Sequence, residues 1–165
     1  MRHLVKSVLS AVHTWRLKRI ARSIGWHCRA NGPVRATNLH IGDDCHFNGM
    51  KVYGGGKVTI GSHFHSGKGL VILTEFHDYE STKLPYDEKI KLKDVEIGSN
   101  VWIGLDVCVL GGVKIGDGAI IQARSVVAKN IPPLGIAGGH PAQVFKFRDK
   151  DHYRRISGTL PTDCI

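Results

Sequence analysis

One histidine stands apart by its surroundings. His77 lies in Thr74-Glu-Phe-His-Asp-Tyr-Glu80, at the start of a strongly polar stretch that runs from residue 74 to residue 94. Imidazole changes charge close to neutral pH and in its neutral form takes a proton from a hydroxyl, so a histidine where an ordered segment opens into a polar loop is a candidate general base. A base of this kind is held in position by a third group, and the carboxylates Asp78, Glu80, Asp87 and Glu88 all follow within 11 residues. Metal chemistry has no comparable support. The four cysteines (Cys28, Cys45, Cys108 and Cys164) contain no CxxC pair, and no two of the ten histidines lie five positions apart. The expectation is no metal, and free thiols in a reducing cytosol.

The elements that must position His77 are legible as a repeat. An aliphatic-x-Ile-Gly signature occurs at Leu39-His-Ile-Gly42, Val58-Thr-Ile-Gly61, Val95-Glu-Ile-Gly98 and Val113-Lys-Ile-Gly116, with spacings of 19, 37 and 18 residues. A single period near 18 accounts for all three. Within it runs a beat of six: Ile97, Ile103, Val109, Ile115, Ile121 and Val127. A helix repeats near 3.6 and a strand near 2. A beat of six fits a short strand plus a turn, and three such units close one triangular coil. Position one points inward. Position five is small or β-branched (Val101, Val107, Val113, Ala119, Ser125), and Cys45 takes an inward small position as a compact hydrophobe. Coils stack at strand spacing, and the core becomes a column.

This pattern resembles the left-handed parallel β-helix of the hexapeptide-repeat acyltransferases, an all-β solenoid, over roughly Leu39 to Arg148. Handedness comes with the resemblance and not from the spacing. The run Val101-Trp-Ile-Gly104, Gly111-Gly-Val-Lys-Ile-Gly-Asp-Gly118, Ala123-Arg-Ser-Val-Val-Ala-Lys-Asn-Ile-Pro-Pro133 and Gly138-Gly-His-Pro-Ala142 is similar to the C-terminal run of the sugar O-acetyltransferases in that superfamily, of the maltose and galactoside type. The resemblance implies an acetyl-CoA-dependent O-acetyltransferase acting on a sugar hydroxyl, with His77 as general base, Glu88 orienting it (Asp78, Glu80 and Asp87 are rivals) and the backbone N–H of Leu105 receiving the oxyanion. It places Asn48, with Asp78 and Tyr79, at the acceptor. It places Trp102, Gly104, Ala123, Ser125, Lys129, Lys146 and Arg148 along coenzyme A. It also implies a homotrimer with the site between subunits. Lys83-Leu-Pro-Tyr-Asp87 and Phe145-Lys-Phe-Arg-Asp149 look closer to enzymes that decorate bacterial surface polysaccharides (capsule, lipopolysaccharide or exopolysaccharide). Residues 1–35 do not match the acceptor-binding helical region of the maltose and galactoside enzymes. The acceptor therefore stays open: an amino-sugar nucleotide, acetylated on nitrogen, or an antibiotic hydroxyl would use the same base. The γ-type carbonic anhydrases share the fold but bind zinc through an HxxxxH pair, which is missing here.

Charge divides the chain. Residues 1–42 hold eight Lys or Arg and no Asp or Glu, while the remainder holds 15 basic and 14 acidic residues, so almost all of the formal +9 belongs to the N-terminal segment. A nearly neutral body argues against nucleic acid as the partner. Residues 3–24 read as a helix, with Leu4, Val8, Val12, Trp15, Ile20 and Ile24 on one face, basic residues opposite, and Gly25 as its stop. Such a helix either caps the open end of the solenoid or lies on an anionic membrane surface. The expected organisation is a basic cap over 1–36, a β-helix over 37–142 interrupted by the excursion 74–94, and a tail over 143–165. No stretch reaches the roughly 20 apolar residues of a membrane span and the start does not read as a cleaved signal, so the expected location is the cytoplasm, with peripheral contact to the inner membrane.

Overall fold

The computed structural model describes residues 2–161, with side chains from residue 5 onward; Cys164 and the side chains of Arg2, His3 and Leu4 lie outside the described residues. The beat of six sets the architecture. Ile97, Ile103, Val109, Ile115, Ile121 and Val127 are all 2% exposed or less, and Val101, Val107, Val113, Ala119 and Ser125 lie inward between them. One wall of the solenoid stacks the parallel strands Ser23–Ile24, Leu39–Ile41, Val58–Ile60, Val95–Ile97 and Lys114–Ile115, and Ile131 bridges to Ile115 as a sixth layer. Like stacks on like: Ile41 pairs with Ile60, Ile60 with Ile97, and Ile97 with Ile115. The other two walls are built the same way, one around Trp102–Ile103 and Ile120–Ile121, the other around Leu70–Leu73, Cys108–Val109 and Val126–Val127.

Corners turn on left-handed residues. His27, Asp44, His63 and Asn100 recur at one corner with φ between 53° and 58°, and Asp106 and Arg124 at another; Asn, Asp and His tolerate this region better than bulkier residues. Glycine follows the inward isoleucine because coils approach closely there. A Cβ on Gly61 would lie 2.6 Å from the Ser99 nitrogen of the next coil.

Both ends are covered. A helix, α1 (Arg2–Ile20), packs on the strand Arg29–Arg35. Leu17 is fully buried, Ser10 Oγ donates to the Ala30 carbonyl, and the Ala30 N–H donates to Thr14 Oγ1. At the other end Gly135–Gly139 stacks on Ile120–Ile121 and pairs antiparallel with the returning strand Ala142–Phe147. A second helix, α2 (Lys150–Ser157), follows, capped by Asp149 and anchored by buried Tyr153.

Three expectations need correction here. The helix stops at Ile20 and not at residue 24, because Ile24 is the inward residue of a coil and pairs with Ile41. Arg22-Ser-Ile-Gly25 is a further copy of the signature with arginine in the aliphatic place, and strand pairing therefore begins at residue 23 and not at residue 37. The helix also turns its other face inward. Val5, Val8, Leu9, Val12 and Trp15 are between 41% and 57% exposed, while Ser10, Thr14 and Leu17 meet the solenoid.

Candidate active site

The excursion is a hairpin clamped to the column. Glu75–His77 pairs antiparallel with Ile90–Leu92, placing His77 opposite Ile90. Its feet are fixed by the coils. Thr74 is fully buried, donates through Oγ1 to the Tyr53 carbonyl and accepts from the Gly56 N–H. Asp94 accepts the Lys57 N–H at 2.8 Å, and its carbonyl accepts from Gly112. His77 ends the first strand with its ring exposed and stacked on Tyr86, centroids 3.8 Å apart and planes 14° from parallel. Tyr86 had no role in the sequence reading; contacts across a hairpin tip leave no period to find.

No carboxylate of the described residues hydrogen-bonds the His77 ring. Glu88 is almost wholly exposed and sits 4.0 Å from Lys83. Asp78 accepts Lys91 Nζ at 2.8 Å and the Glu80 N–H at 3.1 Å, and the Lys91 bond holds its pKa below the usual carboxylate value. Asp87 accepts the Lys89 N–H and Thr82 Oγ1, and the first of these lowers its pKa. Tyr79 points out, 71% exposed. Within one chain Glu88 therefore does not orient His77; the residue that holds the ring is Tyr86.

Asn48 sits in a ladder of polar side chains on the wall. Its amide nitrogen donates to the Ser66 carbonyl at 2.7 Å and lies 3.5 Å from His65 Nε2, and its oxygen accepts from Asn31 at 3.1 Å. The next column reads Arg29, His46, His65, Trp102, Ile120, Ile136, each the register partner of the one before. Trp102 is 55% exposed, and Lys146 pairs with Ile136, so Trp102 and Lys146 lie three strand spacings apart, about 14 Å. The Leu105 N–H meets no acceptor among the described residues, while its carbonyl accepts from Arg124. Gly67 lies against it: a Cβ there would be 2.6 Å from the Leu105 nitrogen. Gly104 makes the same close approach to Ala123. Ala123 and Lys129 are exposed.

Two coenzyme candidates are occupied by the fold. Ser125 is 1% exposed, donates to the Gln122 carbonyl and accepts from the Gly139 N–H, because position five points into the column. Arg148 donates to the Gly118 carbonyl and lies 5.3 Å from the Tyr153 ring, which ties it to the closing helix.

A histidine and aspartate cluster escaped the sequence reading, although its members recur one coil apart. His63 Nδ1 is 3.1 Å from Asp44, His46 Nε2 is 3.7 Å from it, and the rings of His46 and His65 meet edge-on at 5.6 Å. Arg29 donates to His46 Nε2, and burial, then Arg29, lowers the His46 pKa below the ordinary imidazole value. The hydrogen bond from His63 lowers that of Asp44. Among the described residues no group of His, Cys, Asp and Glu has the arrangement of a metal site. Burial pushes the Cys45 thiol up to about 12, as suits an inward hydrophobe.

Residues 94–129 match the family described as bacterial transferase hexapeptide (six repeats). The chain is similar to the galactoside O-acetyltransferase of Escherichia coli (strain K12), 31% identical over 83% of this chain and 70% of the relative. It is also similar to WcaF of the same organism, provisionally named a colanic acid biosynthesis acetyltransferase, at 34% identity over 66% of this chain and 54% of that one. Among solved structures it is similar to the hexapeptide-repeat acetyltransferase VCA0836 of Vibrio cholerae O1 biovar eltor complexed with acetyl coenzyme A, with a TM-score of 0.72 and 25% identity over 86% of this chain and 80% of that one. Across curated relatives the chain spans between 28% and 72% of the relative's own length.

Proposed function

Because the chain belongs to the hexapeptide-repeat acyltransferase family and folds as a left-handed parallel β-helix, we propose that it transfers acetyl from acetyl-CoA to a sugar hydroxyl in the synthesis of a bacterial surface polysaccharide. The observation that carries this reading is the state of His77: an exposed imidazole on a clamped hairpin, steadied by ring stacking and free of hydrogen bonds to the described residues.

His77 takes the acceptor's hydroxyl proton as that oxygen attacks the thioester carbonyl carbon. The negative charge that builds on the carbonyl oxygen is received by the Leu105 N–H, for which no acceptor among the described residues competes. Collapse forms the acetyl ester, breaks the carbon–sulfur bond and returns the His77 proton to the departing sulfur. Trp102, Lys129 and Lys146 line the path of coenzyme A, with the Gly104–Ala123 contact as its floor, and Asn48 meets the acceptor.

The complete site lies between subunits of a homotrimer, with His77 and Asn48 facing Trp102 and Lys129 of another chain. Support comes from the outward columns, where Val71, Cys108 and Val126 line up on one wall and Trp102, Ile120 and Ile136 on the next, an apolar exterior suited to packing against copies of itself. The chain works in the cytoplasm. Among the described residues no helix is long and apolar enough to cross a membrane. The exposed arc of α1, with Arg16 and Arg19 among its apolar residues, suits peripheral contact with the inner membrane surface.

The test is release of free CoA by purified protein from acetyl-CoA with a panel of neutral, acidic and amino-sugar acceptors, with product identified by mass. Acetylation of a sugar oxygen supports the reading. Transfer only to an amine, or to no carbohydrate, sinks it.

A further inference from the structure

The surface around Asn48 carries a second kind of information. A groove of about 540 Å³ opens between α1 and the strands Arg29–Arg35 and His46–Tyr53, with Asn31 and Asn48 in its wall. That volume suits one or two sugar rings. Arg35, Lys51 and Lys68 line it, and no carboxylate does. Across Asn31 the groove adjoins a second trough of about 700 Å³ on the other side of α1, lined by Lys6, Lys18 and Arg29 and again by no carboxylate.

None of these six cations forms an ion pair among the described residues. Arg35 and Lys51 are direct register partners on adjacent strands, a like-charge juxtaposition that costs stability unless an anion lies between them. Lys51 turns its ammonium to the Tyr53 hydroxyl and ring, which do not neutralise it. The side chains of Arg35 and Lys68 are exposed and make no hydrogen bond to any described residue. The floor between them holds Gly49 and Gly69, both with positive φ; it is open backbone at Gly49, where a Cβ would meet only the Pro33 carbonyl and the Gly69 nitrogen near 4 Å, and is backed at Gly69 by the Asp106 carboxylate, 2.1 Å from where a Cβ would stand.

We infer that the acceptor groove is built for an anionic sugar, a hexose unit bearing a carboxylate or a phosphate, held by Arg35 and Lys68 beside Asn48, with the chain of an acidic glycan continuing past Asn31 into the second trough. This deepens the proposed function and rests on its placement of Asn48 at the acceptor. Guanidinium and ammonium groups bind carboxylate and phosphate through charge-assisted hydrogen bonds, which are worth more than those to neutral hydroxyls. Two adjoining basic troughs fit a polymer with repeated negative charge better than a single small anion.

Calorimetric titration of the full chain, with CoA present, tests this on matched ligands: methyl β-glucuronoside, methyl β-glucoside and glucose 1-phosphate. The expected result is tighter binding of a charged ligand than of the glucoside, by about tenfold for one charged hydrogen bond, shrinking in high salt. The order of glucuronoside and glucose 1-phosphate identifies the anion as carboxylate or phosphate. A variant carrying Arg35→Gln and Lys68→Gln, checked for an unchanged melting temperature, binds charged and neutral ligands alike. Equal affinities in the native chain, or discrimination that survives the double substitution, overturn the inference. So does capture by phosphatidylglycerol vesicles or poly(U) without glucuronoside or sugar phosphate binding. Discriminating binding without acetyl transfer would sink the enzymatic reading and leave this one standing; transfer to neutral sugars without discrimination would do the reverse.

Discussion

His77 and Tyr86 face each other across the excursion with rings 3.8 Å apart and nearly parallel. The imidazole is thus positioned by an aromatic neighbour and not by any acid among the described residues. Aromatic pairs contribute about 0.5–1.5 kcal/mol beyond their buried area. Tyr86→Ala is expected to lower kcat severalfold with little change in the KM for acetyl-CoA, and Tyr86→Phe to restore it. His77→Ala removes the proposed base and should slow turnover by roughly 10²–10⁴-fold while CoA still binds. Steady-state kinetics on the three variants separates positioning from proton transfer; equal losses for both Tyr86 variants would assign the effect to the phenol hydroxyl instead.

Leu17 and Leu9 lie on the same helix with opposite surroundings, 0% and 50% exposed. Leu17→Ala opens a cavity under the cap and should cost about 2–5 kcal/mol in urea denaturation. Leu9→Ser removes an apolar group that touches no core and should change stability by less than about 0.5 kcal/mol, yet weaken sedimentation with anionic vesicles. If Leu9→Ser destabilises the fold as much as Leu17→Ala, the exposed arc is packed in solution and the membrane role fails.

Much of the column was written in the chain. The inward residues follow the beat of six from Ile97 to Val127, and the break at residue 74 marked the hairpin. What escaped did so for physical reasons. Arg22-Ser-Ile-Gly25 hides a first coil because an arginine whose head stays in water replaces the usual aliphatic. The inward face of α1 is hard to read because its contacts with the solenoid mix the Ser10 and Thr14 hydroxyls with Leu17 and half-buried Ile20, too short an apolar run to set a period. Ser125 was assigned by family position to the coenzyme, although its place in the six-residue unit already pointed it inward.

Gly67→Ala would set a methyl 2.6 Å from the Leu105 nitrogen. The coil must shift, and the Leu105 N–H, the proposed oxyanion donor, moves with it. Losing one such donor costs about 10²–10³ in kcat in a well-studied protease, so the expected outcome is a lower melting temperature together with a fall in kcat larger than the change in KM. A variant that melts lower at full kcat would remove Leu105 from the mechanism.

His46 gives the fold a dependence on pH. Its folded pKa lies below the ordinary 6.5, so the folded chain holds this ring neutral where the unfolded chain protonates it. Its contribution is complete above 6.5 and is lost as pH falls from there through the lower folded value. Denaturant midpoints should therefore drop between pH 7 and pH 5, and His46→Gln should flatten that part of the profile. An unchanged slope in the variant would move the dependence to another group.

The clamps at Thr74 and Asp94 reach further than holding one loop. Apart from the Thr74 carbonyl, which accepts the Lys93 N–H and closes the foot of the hairpin, the bonds they make go to backbone of the neighbouring coils, at Tyr53, Gly56, Lys57 and Gly112. The tip between Tyr79 and Pro85 can lengthen, shorten or change sequence while the stack keeps its register and His77 keeps its strand and its Tyr86 neighbour. The rim beside the imidazole can thus be remodelled with the scaffold inherited intact.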